Sequence, residues 1–274
     1  MSALPNVFGY SPAQFETLLL VLVRLSAMLF VSPIFSNLQI PRLLRIGIAL
    51  VLAFIVSRTI PAIAPLNGIG DLAVAIFAQV GIGLIFGYVA YLLFIGIQFA
   101  GEIIDVQVGF AVVNIINPLT SQSVTVIGEF QLALTSLLYL TVNAHHALIA
   151  GMASSFRLVP LPFVTLPDVV AGDVVRFFTQ AMFIVFEIAA PVAVALFVVN
   201  VMLGMMARVA PQMNVFVIGF PLQIAAGLLL LIVTIPLLGA VFPSLAQQSN
   251  DNVATILRAM GSGASPLPSP SPTP

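Results

Sequence analysis

The chain contains no cysteine and no tryptophan, and each of its eight basic residues is an arginine. The absence of cysteine rules out a disulfide framework, a thiolate metal site and a cysteine nucleophile. Charge of either sign is scarce: eight basic and nine acidic residues make up 6% of 274, against roughly 25% in an ordinary soluble domain. So few charges cannot cover a solvated surface. The net charge of −1 supplies no basic stripe for a phosphate backbone, which argues against nucleic acid as a partner. What the chain has instead is 61% hydrophobic residues, so most of its exterior must meet lipid or other apolar protein. That describes an integral membrane protein or a buried subunit of a membrane assembly.

A bilayer-crossing helix needs about 20 apolar residues. Six segments meet or approach that length, near residues 14–35, 43–60, 72–99, 124–143, 174–206 and 215–245. The fold class expected is all-α, a polytopic membrane protein of about six kinked helices and helical hairpins. The second segment is short, and the third and fifth are long, which predicts tilt or kinks. The apolar runs are too long for buried strands and lack the alternation of a membrane barrel. The N-terminus has no basic region and no small-residue cleavage site, so the first run reads as a retained helix. Pro33 and Pro41 bracket a turn, and Pro61, Pro65, Gly68 and Gly70 mark the next loop. Longer polar breaks are expected at 100–123 and 155–173. Residues 1–260 read as one integral membrane domain, and the Pro/Ser tract 261–274 as a disordered tail. With six crossings the loop arginines split three to four between the two sides, which assigns no orientation.

Ionisable groups within apolar runs are costly, so each marks either a pathway or a polar partner. Arg24, Glu129, Glu187 and the pair His145 and His146 are such groups, with Glu16 two turns before Arg24. The reading preferred for Arg24 is pairing with a polar group on a neighbouring helix or subunit. The adjacent histidines point about 100° apart on a helix and have no HExxH spacing, so no metal is assigned to them, and no cofactor is expected. Gly68-Ile69-Gly70-Asp71 reads GxGD, the motif of intramembrane aspartyl proteases. That chemistry needs a second carboxylate, and Asp105 in EIIDVQ lacks the aromatic neighbour those enzymes use. Asp71 is read instead as the N-cap of the third segment.

Two stretches are more specific than generic membrane sequence: AGEIIDVQVGFAVVNIINP, Ala100 to Pro118, and ARVAPQMNVFVIGFPLQIAAG, Ala207 to Gly227. With Pro33, Pro41, Arg42, Arg45 and LTVNAHHALI, they resemble the R subunit of the flagellar type III export gate, the FliR family, over nearly all of the chain to about residue 258. Virulence systems carry an equivalent, the injectisome export-apparatus T subunit, and closeness of motif favours the flagellar member. The resemblance implies a non-enzymatic subunit whose fold is a P-type subunit joined to a Q-type helical hairpin. It implies a bacterial inner-membrane location at the flagellar basal body, in an assembly raised toward the periplasm. The implied partners are P- and Q-type gate subunits, a B-type switch subunit and an A-type export subunit. Unfolded rod, hook and filament proteins are the implied export substrates.

Glu102 and Asp105 fall three apart, on one face if helical, and Gly109, Asn114, Asn117 and Pro118 should end that helix. The family's pore plug would fall on Phe110, Val112, Val113, Asn114, Ile115, Ile116, Asn117 and Pro118, where bulky apolar residues are mixed with small polar ones in a seal without ionic locks. Packing, hinge and subunit-interface roles are assigned to Arg24, Pro33, Pro41, Arg42, Glu102, Asp105, Glu129, Pro191, Arg208, Pro211, Gln212, Gly219 and Pro221. Pro211 lacks an amide hydrogen and should separate the last two helices, with Arg208 against the negative end of the helix before it. A small-solute transporter is the competing class. It would show inverted repeats, and none is evident in the sequence.

Overall fold

Where the helices begin and end follows largely from caps written in the sequence. The computed structural model describes residues 11–36, 40–66, 68–110, 125–162, 168–210, 212 and 215–262. Those residues form seven helices and no strand: α1 Pro12–Val31, α2 Arg42–Ser57, α3 Ile69–Val108, α4 Val126–Thr141, α5 Ala144–Leu158, α6 Asp168–Val209 and α7 Val215–Ser262. At the start of α1, Ser11 Oγ accepts the Gln14 N–H at 3.3 Å and Gln14 Oε1 accepts the Ser11 N–H at 2.9 Å, with Pro12 in the first turn. α1 stops at Ser32, whose ψ of 136° is the extended conformation that Pro33 imposes on its predecessor. α3 stops at Gly109, φ +94°, in a Schellman turn: the Gly109 N–H donates to the Val106 carbonyl at 3.3 Å and the Phe110 N–H to the Asp105 carbonyl at 3.1 Å. Asn143, at φ 55°, separates α4 from α5.

Three boundaries differ from those expected. The break placed at residue 100 begins only after Val108, because Ala100, Ile104 and Val108 keep a four-residue spacing that buries them. α5 occupies part of the stretch read as a loop after segment four, and its Leu148, Met152 and Phe156 repeat the same spacing. α7 continues past residue 245, with Val253, Ile256, Leu257 and Met260 buried. In each case an amphipathic stretch folds by its spacing, although its mean hydropathy falls below that of a lipid-crossing run. Gly261 and Ser262, assigned to the tail, complete α7; the rest of the tail, 263–274, lies outside the described residues.

Among the described residues four helices are long and apolar enough to cross a membrane, α1, α3, α6 and nearly all of α7, and the broken pair α4–α5 would make a fifth if it is one span. The chain divides into two compact units: Met1–Tyr91, His145–Phe177 and Ser249–Pro274 form the first, and Leu92–Ala144 and Phe178–Gln248 the second.

In the first unit Leu20, Val21, Leu25 and Met28 of α1 are buried, as are Ala75, Ile82 and Phe86 of α3. α1 and α3 approach backbone to backbone at Gly83 and Gly87. A Cβ there would stand 2.5 Å from the Arg24 carbonyl oxygen and 2.8 Å from that of Met28, respectively. In the second unit Ala100, Ile104 and Val108 of α3, Ile127 of α4, Val185, Ala189, Val192 and Leu196 of α6, and Leu231 of α7 form one core. Phe94 and Tyr139 meet edge to face at 5.2 Å, and α3 and α4 approach closely at Gly101, where a Cβ would lie 2.7 Å from the Gly128 Cα.

Candidate functional site

The two motifs singled out in the sequence meet in the second unit, around the end of α3. The Gln223 amide donates to the Gln107 carbonyl, one of the carbonyls left over at a helix C-terminus. A Cβ on Gly109 would touch the Phe220 ring at 3.4 Å, and one on Gly227 would collide with Val108 at 2.4 Å. The GFPLQIAAG segment of α7 therefore clamps the last turn of α3. Phe110, the first plug residue assigned, is half-buried against the Ala100–Ile104–Val108 core. Val112, Val113, Asn114, Ile115, Ile116, Asn117 and Pro118 lie outside the described residues.

Asp105 holds both margins of segment 111–124. On the near side its backbone carbonyl accepts the Gly109 and Phe110 N–H groups, each at 3.1 Å. On the far side its carboxylate accepts the Ile127 N–H at 3.0 and 3.1 Å and the Gly128 N–H at 3.2 Å. Those amides are unpaired donors in the first turn of α4, where the helix dipole favours an anion. Thr125 makes no side-chain cap, so Asp105 caps α4 from another helix. The side chain is 3% exposed. Glu102, one turn earlier, is half-buried, and Glu129 is exposed in the first turn of α4. Glu102 and Asp105 thus lie one turn apart on α3, with Asp105 the more buried of the two. Spacing alone could not show that one carboxylate would serve a helix more than 20 residues away.

In the first unit Arg24, 2% exposed, finds its polar partners within this chain. Its Nε donates to Gln79 Oε1 at 2.6 Å, and Nη1 and Nη2 each reach the Val159 carbonyl at 3.0 Å. Nη1 also meets the Ser155 carbonyl at 3.3 Å and its hydroxyl at 3.4 Å, and the guanidinium lies 4.4 Å from the Phe156 ring centroid. A cation from α1 therefore terminates α5 at the negative end of its dipole. Glu16, on the same helix, accepts the Leu66 N–H at 3.1 Å instead. Gln79 escaped the sequence reading because it is uncharged, yet a lone amide within an apolar run is itself a signal for a polar partner. Gly83 and Gly87 escaped it too, although their GxxxG spacing is a signal for close helix approach.

Other expected residues are placed more simply. Pro33 is buried just after α1, while Pro41 and Arg42 are exposed at the start of α2. Asp71 lies in the first turn of α3 rather than at its cap: the Leu72 N–H bonds the Gly68 carbonyl, which makes Gly68 the cap. His145 and His146 open α5 instead of closing the preceding helix, with ring centroids 4.1 Å apart. No group of metal-ligating side chains occurs among the described residues. Pro191 lies inside α6, near Glu187, and Arg208 is exposed in its last turn. Gln212 is exposed, and Pro211 lies outside the described residues, in the interval between Val209 and Val215. Gly219 and Pro221 fall within the first two turns of α7.

The family described as "Bacterial export proteins, family 1" matches residues 15–249. A flagellar biosynthetic protein FliR of Bacillus subtilis is 34% identical over 250 residues, 90% of this chain and 96% of that protein. Proteins of the same name from Aquifex aeolicus and Escherichia coli are 31% and 29% identical, over 81% and 79% of this chain and 86% and 83% of theirs. The match takes in both motifs that meet at the end of α3 and most of the helix that carries Arg24, and the chain belongs to the bacterial export proteins, family 1.

Proposed function

We propose that the chain is a non-enzymatic subunit of the flagellar type III export apparatus in the bacterial inner membrane. The observation that carries this reading is its likeness, over nearly its full length, to proteins named for flagellar biosynthesis. In this reading the chain joins P- and Q-type subunits in a gate at the basal body, beside B- and A-type components. Unfolded rod, hook and filament proteins pass through that gate.

Phe110 and Val112 to Pro118 act as the closing element. Support comes from its two anchored margins: Gln223 and Phe220 grip the end of α3, while Asp105 fastens the start of α4. The chain is an interior part of that assembly, because α6 and α7 leave large apolar side chains uncovered. The packing, hinge and interface assignments to Arg42, Pro191, Arg208, Pro211, Gln212, Gly219 and Pro221 belong to this same reading.

Co-expression with P- and Q-type subunits and purification in mild detergent tests membership: a chain that runs alone, or as a symmetric homodimer, refutes it. Deleting Val112 to Ser121 tests the closing element. The assembled gate should then conduct small ions while its subunits still co-purify, and a gate that stays tight after deletion removes the assignment.

A further inference from the structure

A single carboxylate stands on the outer face of α6, in the second unit, with no cation to answer it. Between Arg176 and Arg208 Glu187 is the only charged residue of α6, and α7 carries no charge from Val215 to Asn250. At 1.5 Å per residue the two arginines lie about 16 Å and about 31 Å away along the helix, and Arg176 is paired with Asp173 at 3.1 Å. Among the described residues the Glu187 side chain has no ion pair and no hydrogen bond.

Its neighbours decide whether water can serve instead. Phe183 and Phe186 before it and Val194 and Phe197 after it are 61–70% exposed. Aromatic and aliphatic side chains in that density are covered by apolar material, and the carboxylate among them is covered with them. A carboxylate taken out of water needs a cation and hydrogen-bond donors.

The cavity that Glu187 lines shows what form that cation takes. It has a volume of about 150 Å³ between α6 and α7, with aliphatic walls that include Ile184, Ile188 and Leu238. The Thr234 hydroxyl faces it as an acceptor, since its proton is given to the Leu231 carbonyl at 3.0 Å. Pro191 has no N–H, so the Glu187 carbonyl four residues earlier also lacks its helical donor. The site therefore presents acceptors and no free donor, which excludes an anion. A bare metal ion would need further ligands, and no group of metal-ligating side chains occurs among the described residues. A methylene stem with a cationic head meets every condition: the aliphatic walls take the stem and the acceptors take the head. At about 30 Å³ per water the volume equals about five waters, room for one such head.

We propose that a helix of a neighbouring subunit inserts a lysine or arginine side chain into this cavity and pairs it with Glu187. The inference rests on the export-apparatus reading only for the identity of that neighbour. The full chain, with benzoylphenylalanine in place of the exposed Phe183 one turn before Glu187, is irradiated in cells that assemble the apparatus, and the crosslinked peptide is sequenced. The crosslink should fall within two helical turns of a lysine or arginine of the neighbour. Normalised to the amount of chain in the membrane, its yield should fall about tenfold in Glu187→Leu and stay mostly intact in Glu187→Asp. Glu187→Lys should lose the crosslink as well, and an acidic replacement of the neighbour's basic residue should restore it. A yield unchanged by Glu187→Leu overturns the proposal. So do crosslinks far from any basic residue, and so do adducts to lipid alone. A Glu187-dependent crosslink to a basic helix of a subunit outside flagellar export would uphold the ion pair and refute the export reading instead.

Discussion

Removing the Asp105 carboxylate should release the start of α4 while the rest of the chain stays folded. Two backbone N–H groups, those of Ile127 and Gly128, depend on it, in a site where the side chain is 3% exposed. Losing an N-cap costs about 0.5–2 kcal/mol, and a hydrogen bond to a charged group contributes about 1.5–3 kcal/mol net. Asp105→Ala leaves both amides without an acceptor in apolar surroundings, so a local loss of about 2–3 kcal/mol is expected. At 1.4 kcal/mol per factor of ten, the Ile127 and Gly128 amides should exchange with solvent about 30- to 150-fold faster. Asp105→Asn keeps one acceptor oxygen and should fall between the two. The assay is hydrogen–deuterium exchange with mass spectrometry on the detergent-extracted protein, resolved to peptides covering 125–130. Peptides from α1, in the other unit, serve as the internal control. Unchanged exchange at the start of α4 in Asp105→Ala, with normal protection in wild type, would refute the capping argument. Equal acceleration in α1 would show global destabilisation in its place.

Arg24→Met should strip the Val159 and Ser155 carbonyls and the Gln79 amide of their buried donor and cost about 3–5 kcal/mol, read as a lowered yield of folded protein by fluorescence-detected size exclusion. Arg24→Lys should rescue only part of that yield, since one ammonium cannot span partners on both α3 and α5. Gly83→Ala should cost about 1–3 kcal/mol by forcing α1 away from α3, whereas Gly47→Ala, which has nothing within 4 Å, should be neutral in thermal melts. Gly227→Val should displace Val108 and loosen the Gln223–Gln107 contact, seen as faster protease cleavage within residues 111–124, and cleavage at the wild-type rate would count against the clamp.

Arg24 shows how far the sequence could be read. A single cation deep in an apolar run announces that it must be satisfied, and a polar group on a neighbouring helix was the right kind of partner. Which helix could not be read, because two of its acceptors are the backbone carbonyls of Ser155 and Val159, which carry no residue-type signature. The same limit applied at Asp105, whose donors are backbone amides 22 and 23 residues away. The α3 stop at Gly109 was legible, since a positive φ after an apolar run calls for glycine. The extents of α5 and of the end of α7 were not, because average hydropathy is blind to a face of four-residue spacing.

The scarcity of charge can now be assigned to particular helices. In α3 61% of an 18-residue apolar stretch is buried within the chain, so much of its hydrophobicity is ordinary core. In α6 and α7 the corresponding shares are 22% and 17%, although those helices are no less apolar. Exposed Phe183, Phe186, Val194 and Phe197 on α6 therefore need lipid or another apolar protein surface. Lipid alone does not suit the whole face, because Glu187 is exposed between Phe183 and Pro191, and a carboxylate in hydrocarbon is costly unless paired or wetted. It stands at a cavity of about 150 Å³ lined also by Ile184, Pro191, Thr234 and Leu238, so the α6 surface there is notched rather than smooth. A notched apolar surface with one acidic group matches a subunit contact better than it matches fluid acyl chains.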